Sequence, residues 1–567
     1  MLDDPAPPSP ATQPPRSTRQ RPRAERCARV IDLEDACRRR GITLRQAARE
    51  LGVPRSTLRG WQARSLGPLS PAQRAFFESP EGVEFLRRLL TAALFVINLC
   101  GGLGVTLVQA FLRHAGVHQL VACSDTTLRR RRRAMIDDAI AWGDAQDDAL
   151  ATQMQPRRIV LVADETFLQG PMLVAMVAPA GFIFTEQLAE RRDADSWYAA
   201  LCPALARWPV QLHALVGDDA KGIIHLATYR LHTVKGPDLF HIQYGVSRAS
   251  AAARRLRLRG AERKVEAAEE TLRRAEEARS HAVDGEAQAL TAVALVAYEK
   301  LKSAKDAQAE VEAQCQTVRN AVRDLGARYH PVHLETGVML DESGLEARLV
   351  EGFAALRDAA NSAGIGAVLR VQEGLDKAER SLPTMKSLAR AWFRMVRATL
   401  ETLGLSAAEA VWVWSTLLPW VYLDTVHPRG PRKQDRARIG QVREAIWEKV
   451  RAVDGPWSRW GVERRTEVLS VLREVVALFV RGSSSVEGRN GQLSLSHHRV
   501  HTLTPKLLRV LTVLHNYVIT RDDGSTAAQR FTGLPHADLF EHLLAAAPSP
   551  ARPRVRPRRS RHLQLVA

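Results

Sequence analysis

The sequence predicts an α/β core preceded by helix-turn-helix units and interrupted by a large all-α insertion that includes an antiparallel coiled-coil hairpin. Three observations predict it. Short apolar runs bounded by turn residues fill 157–247, apolar residues recur in alternating steps of three and four from Leu258 to Leu325, and Thr43–Trp61 reads as two short helices about a turn.

The bulk properties fit several domains. A chain of 567 residues exceeds what one hydrophobic core usually organises, and 45% hydrophobic with 25% charged residues is an ordinary globular composition. The 81 Lys+Arg against 62 Asp+Glu give a net charge of +19, which attracts polyanions, nucleic acid before membrane. Cys27, Cys37, Cys100, Cys123, Cys202 and Cys315 form no CxxC or Cys/His ligand spacing, arguing against zinc ribbons and disulfide frameworks and for a reducing cytoplasm. The N-terminus lacks the apolar stretch of a secretory signal, so a cytoplasmic, nucleoid-associated protein is expected. Leu89–Leu112 carries no charge and has the length of a membrane span, but Asn98, Gln109 and the break Gly101-Gly102-Leu103-Gly104 favour two buried helices and no membrane partner.

Taken in order, 1–25 is a Pro/Arg-rich arm without apolar periodicity, expected to be disordered. Segment 26–66 is the helix-turn-helix, turning at Gly52, with Ala47, Ala48, Leu51, Val53, Leu58 and Trp61 packing inside. Arg45, Arg55, Ser56, Thr57 and Arg59 are its candidates for DNA contact, because guanidinium and hydroxyl groups suit phosphates and base edges. A plain packing module is the alternative. Segment 67–156 is helical and offers a second, weaker unit, in which Ser124 and Asp125 stand as N-caps before Arg129–Arg133. Five consecutive arginines cannot share a face; Arg129, Arg130, Arg132 and Arg133 are candidates for phosphate contact, against the alternative of a solvated helix.

Segment 157–247 is the first part of the core. IVLVAD is a central strand ending at Asp164, MLVAMV and GFIFTEQL form a hairpin about Pro179-Ala180-Gly181, Ala194–Arg207 is a helix, LHALVG stops at Asp218, and DLFHIQY is a further strand starting at Asp238. Three leading strands, a helix and a return to parallel strands are compatible with a ribonuclease H-like sheet. Segment 248–326 is the hairpin insertion, two heptad arms of about 50 Å joined at Asp284-Gly285, read as an assembly device. Segment 327–480 is a helical insertion anchored by Trp412, Trp414, Trp420, Trp447, Trp457 and Trp460, with a basic loop at His427–Arg438. Segment 481–545 closes the core, and 546–567 is a basic tail.

The acids carry the chemistry. Phosphodiester transfer without a covalent protein intermediate calls for two metal ions, and hard Mg2+ or Mn2+ prefers carboxylate oxygens. Asp164 and Asp218 follow buried-strand runs that would neighbour each other in a parallel sheet, and SSSVEGRNGQLSLSHHRVH supplies Glu487 from a helix. Arg489 and Asn490 are candidates for contacting the scissile phosphate or orienting Glu487, with helix capping and surface contact as the alternative. His497, His498 and His501 suit DNA-backbone contact rather than zinc, since no cysteine accompanies them.

Four blocks, DET at Asp164–Thr166, GDDAKG at Gly217–Gly222, DLFH at Asp238–His241 and the Ser483–His501 segment, resemble a bacterial insertion-sequence transposase group of the DDE, ribonuclease H-like superfamily. The resemblance covers about 157–245 and 480–520, with helix-turn-helix units in the customary N-terminal place. It implies metal-dependent cleavage and strand transfer on double-stranded DNA, both element ends and target, by a homo-oligomer on DNA. It further implies Asp164, Asp218 and Glu487 as catalytic metal ligands. Asp218 is preferred over Asp219 as the first acid after the strand. The long separation of Glu487 from Asp218 departs from a compact domain and requires the insertion to return the chain to the core. A non-catalytic DNA-binding regulator, or a domesticated inactive transposase, is the competing expectation.

Overall fold

The computed structural model describes residues 40–50, 52, 54–57, 70–283, 286–429, 432–500 and 503–553. Leu51, Val53, Leu58, Arg59, Trp61, the Asp284-Gly285 turn, His501, the N-terminal arm and the tail from 554 lie outside them. Two compact units are present. The first holds the described residues up to Gln146, His498–Leu514 and those from Ala537; the second holds Asp147–His497 and His515–His536. The expected closing segment 481–545 is therefore divided between them.

In the first unit, helix Leu44–Glu50 buries Ala47 and Ala48 and is followed by Gly52 at φ 60°, a left-handed backbone that glycine adopts without strain. Arg45, Arg55 and Ser56 are exposed and Thr57 is half-buried. The uncharged segment is broken at its glycines: Pro80–Ala92 continues as wider π-helical turns to Cys100, and a separate helix runs Val105–His114. Among the described residues no helix is long and apolar enough to cross a membrane. Ser124 caps the next helix by accepting from Thr127 N at 3.3 Å. Of the five arginines that follow, Arg129 pairs with Asp125 at 2.7 Å, while Arg130 and Arg133 are exposed. Arg132 corrects the expectation of phosphate contact: it is half-buried and donates to Asn98 Oδ1 at 2.7 Å, bracing two helices.

The second unit is built on one five-stranded sheet, β1 (Arg157–Phe167), β2 (Pro171–Val177), β3 (Phe182–Leu188), β4 (Val210–Gly217) and β5 (Val234–Pro237), in the order β3-β2-β1-β4-β5. The β1–β2–β3 meander is antiparallel, and β4 and β5 add parallel to β1. Val160 to Ala163, Leu173 to Ala175 and Ala214 to Val216 are fully buried, as central strands covered on both faces should be. Helix α1 (Ala194–Arg207), capped by Asp193, crosses between β3 and β4 where the sequence placed it.

Helices α2 (Leu239–Ser280) and α3 (Ala287–Arg328) form the expected hairpin, burying Ala261, Val265 and Ala275 against Ala294, Ala297, Leu301, Cys315, Val318 and Val322. One expectation fails here. DLFHIQY is not a strand; β5 precedes it, and Asp238 caps α2 by accepting from Phe240 N at 3.0 Å. The apolar residues that bury are Leu239 and Val246, at helical rather than alternating spacing. Helix α4 (Leu369–Glu379) packs beside α2, and α5 (Ser484–Val500) returns the chain to the sheet. The insertion's tryptophans do anchor it: Trp420 stacks on Trp447 at 4.5 Å, Trp447 meets Trp457, and Trp412 meets Trp460. The described part of the basic stretch before Arg438 lies mostly in helix Lys433–Val450 rather than in a loop.

Candidate functional site

The site begins where two parallel strands part. Pairing of β1 with β4 runs from Arg157↔Val210 to Val162↔Val216, whereas β1 stays paired with β2 as far as Phe167↔Pro171. Asp164 is thus not the last residue of its strand, as expected. The antiparallel hairpin carries β1 three residues further, and Asp164 sits just past the point where β4 leaves it. Asp218 follows β4 directly and accepts from Ala220 N at 3.0 Å, turning the chain outward. Gly217 permits the close approach here, because a Cβ on it would lie 2.8 Å from Ala163 O. Lys235 Nζ reaches Asp219 Oδ1 and Gly217 O, both at 2.9 Å. That ion pair commits Asp219 to β5.

Glu487 is brought to the same strand mouth by two fastenings at the start of α5. On one flank Ser483 Oγ donates to Asp238 Oδ2, and Leu239 N donates to Arg481 O at 2.9 Å, so the first turns of α2 and α5 are tied together. His241, one turn into α2, holds Asp238 Oδ2 with Nδ1 at 2.7 Å and faces Glu487 Oε1 with Nε2 at 3.6 Å. On the other flank Arg489 forms a two-pronged pair with Glu186 of β3, 2.8 Å to each oxygen, and both side chains are almost wholly buried. Arg489 therefore anchors α5 and has no surface to offer a phosphate, which corrects that expectation. Asn490 Nδ2 donates to Asp164 Oδ2 at 2.8 Å, while its Oδ1 is buried without a partner. Asn490 thus orients Asp164 rather than Glu487.

The electrostatics follow from this crowding. Burial pushes the Asp164 carboxyl up to about 7, with the like charges of Glu487 and Asp218 adding to it against the Glu165 backbone and His241. The hydrogen bond to Asp238 leads in raising His241 to about 9, so at neutral pH it is an imidazolium between two carboxylates. Burial alone would raise Asp238, but its bonds to His241 and Ser483 hold it below the usual range. Among the described residues no three His, Cys, Asp or Glu side chains surround one point closely enough to hold a metal ion as they stand. Asp164 feels the charges of Glu487 and Asp218, but the three form no coordination shell as they stand.

A cleft of about 1300 Å3 opens beside Asp218, lined by Asp218, Asp238, His241 and further residues of α2 and α4. His241, Asp238, Ser483 and Glu186 are the members that sequence reasoning missed. The signal for the first two was the DLFH block, once its spacing is read as a helix start. Of the histidines expected at the DNA backbone, His497 is half-buried and His498 exposed.

Residues 413–560, which include Glu487 and Asn490, match the model of a family of unknown function (DUF6399). No curated protein and no solved structure matches the chain.

Proposed function

We propose that the protein is a DDE-type transposase of a bacterial insertion sequence, with a ribonuclease H-like core that cleaves and joins DNA strands at the element's ends. The observation that carries this reading is the convergence of Asp164, Asp218 and Glu487 at the mouth between β1 and β4, from two strands and a helix far apart in sequence. The sheet order, an antiparallel meander extended by parallel strands, supports the same core, and the charge of +19 supports a DNA partner.

The residues suit a divalent cation. Their oxygens are hard, Asp164 is pushed up by burial and by the like charges of Glu487 and Asp218, which a bound cation would offset, and Asn490 leaves a buried oxygen unpartnered beside it. Asp164, Asp218 and Glu487 would hold Mg2+ or Mn2+, which when bound supplies Lewis-acid activation of the attacking oxygen and stabilises the leaving one. Asn490 fixes the Asp164 rotamer, and the His241 imidazolium, braced by Asp238, holds Glu487 towards the mouth.

The test is strand cleavage and joining on a plasmid carrying the gene with its native flanks, in Mg2+. Asp164→Asn, Asp218→Asn and Glu487→Gln should each lose at least about 100-fold in rate, as removal of a metal ligand worth several kcal/mol implies. Asp219→Asn, whose partner is Lys235, should keep most activity. Retained Mg2+-dependent activity in Asp164→Asn or Glu487→Gln would sink the triad.

A further inference from the structure

Of the three acids, Asp218 lines the cleft. Two helices of the insertion also wall it, α2 with Tyr244, Arg248 and Ala249, and α4 with Arg370, Gly374 and Lys377. The two are locked at close range, since a Cβ on Gly374 would lie 2.5 Å from Ala249 Cβ. Arg248, Arg370 and Lys377 are all exposed, and none has an ion-pair partner among the described residues. Of the three acids of α4, Asp376 and Glu379 are both taken by Arg357, at 2.9 and 2.5 Å, and the exposed Glu373 makes no ion pair with Arg370 or Lys377 among the described residues.

Along α2, Phe240, Tyr244 and Arg248 follow at four-residue spacing, on one stripe beginning beside His241. The two rings stack on each other at 5.9 Å and 11°, yet remain 46% and 53% exposed. Half-exposed stacked rings beside cations offer a flat apolar face to a ligand that carries both rings and negative charge. Here the partner must also satisfy three unpaired cations, which selects a polyanion that offers flat rings.

We propose that this wall is a binding site for single-stranded DNA, with phosphates on Arg248, Arg370 and Lys377 and an unpaired base on Tyr244. The site rests on the reading of the acids as a DNA-processing centre and names the substrate form that reaches it. A duplex turns its base faces inward and gains nothing from the ring pair, whereas every unstacked base has a face to offer. Arg370 and Lys377 lie two helical turns apart, about 10 Å along one face, so they meet successive parts of the same backbone.

The test uses the full chain in EDTA, with a fluorescent oligo(dT) of about 16 nucleotides, within the span a stacking groove covers, and a mixed-sequence duplex of equal length. Tyr244→Ala should weaken oligo(dT) binding roughly 5- to 150-fold, the range for loss of one base stack. Tyr244→Trp should restore it, and duplex affinity should be unaltered by either. Arg370→Ala with Lys377→Ala should flatten the dependence of log affinity on log salt by about 1.4, or 0.7 per lost contact. Unchanged oligo(dT) affinity in Tyr244→Ala, an unchanged salt slope in the double variant, or an equal loss on the duplex each overturns the site. Binding in EDTA involves no chemistry, so the two readings fail separately. Plasmid cleavage by the wild type with unaltered variant binding removes only the wall, and weakened variant binding without wild-type cleavage removes only the transposase.

Discussion

The Arg489–Glu186 pair gives the sharpest test of how α5 is held. Its side chains are 4% and 0% exposed, and both prongs are 2.8 Å long, so Arg489→Ala would leave Glu186 charged and buried without its main counter-ion. Breaking one partner of such a pair costs about 3–5 kcal/mol, whereas replacing both with apolar residues of similar volume is close to neutral. Native-state hydrogen exchange on peptides covering β2 and β3 reads this locally, without treating a two-unit chain as a single cooperative transition. Opening of the Phe182–Leu188 amides should rise by roughly two to nearly four orders of magnitude in Arg489→Ala, at 1.36 kcal/mol per tenfold. It should return to within about tenfold of wild type in Glu186→Leu with Arg489→Met. If Arg489→Ala leaves exchange unchanged but weakens DNA binding, the arginine is a phosphate contact after all and the anchoring argument is refuted.

Two further outcomes follow from the titrating groups. In EDTA, Asp164→Asn should stabilise the second unit at pH 8 by about 4 kcal/mol, the difference between 3.8 and about 7 at 1.36 kcal/mol per unit. A raised carboxyl binds its proton more tightly folded than unfolded, so the wild-type penalty is absent below 3.8 and complete above 7; urea midpoints showing equal gains at pH 3.5 and pH 8 would contradict this. His515 donates to Gly181 O at 2.8 Å and is pushed down to about 4, burial leading and the Arg489 charge adding. It stays neutral in the fold while the unfolded chain takes up a proton, so about 3 kcal/mol of stability should vanish as pH falls from 6.5 to 4. His515→Gln should flatten that part of the pH–stability curve, and an unaltered curve would count against the assignment.

What the sequence reveals depends on whether a signal is local. The hairpin arms were legible because heptad spacing survives any tertiary context, and Asp164 and Asp218 because all-apolar runs admit few alternatives to a covered strand. DLFHIQY misled because aromatic and branched residues favour strands, while the deciding contact, Asp238 Oδ1 on Phe240 N, is a capping bond that composition hides. Arg489 misled for another reason. Position beside Glu487 suggested substrate, but its partner Glu186 lies on a different strand three hundred residues earlier, and a one-dimensional reading carries no pairing information of that range.

Asp218 and Glu487 are far apart in sequence, and the fold spans that separation with a short closure. The insertion leaves the core at Asp238 and re-enters at Ser483, and these two side chains are hydrogen-bonded to each other. For the core, everything between them is a loop whose ends already touch, and the entropy of closing such a loop grows only with the logarithm of its length. The carboxylate that closes it also caps α2 and sets His241 against Glu487. Length could therefore be added between Asp238 and Ser483, and a hairpin and basic wall elaborated there, without altering the local bonds that deliver the third acid.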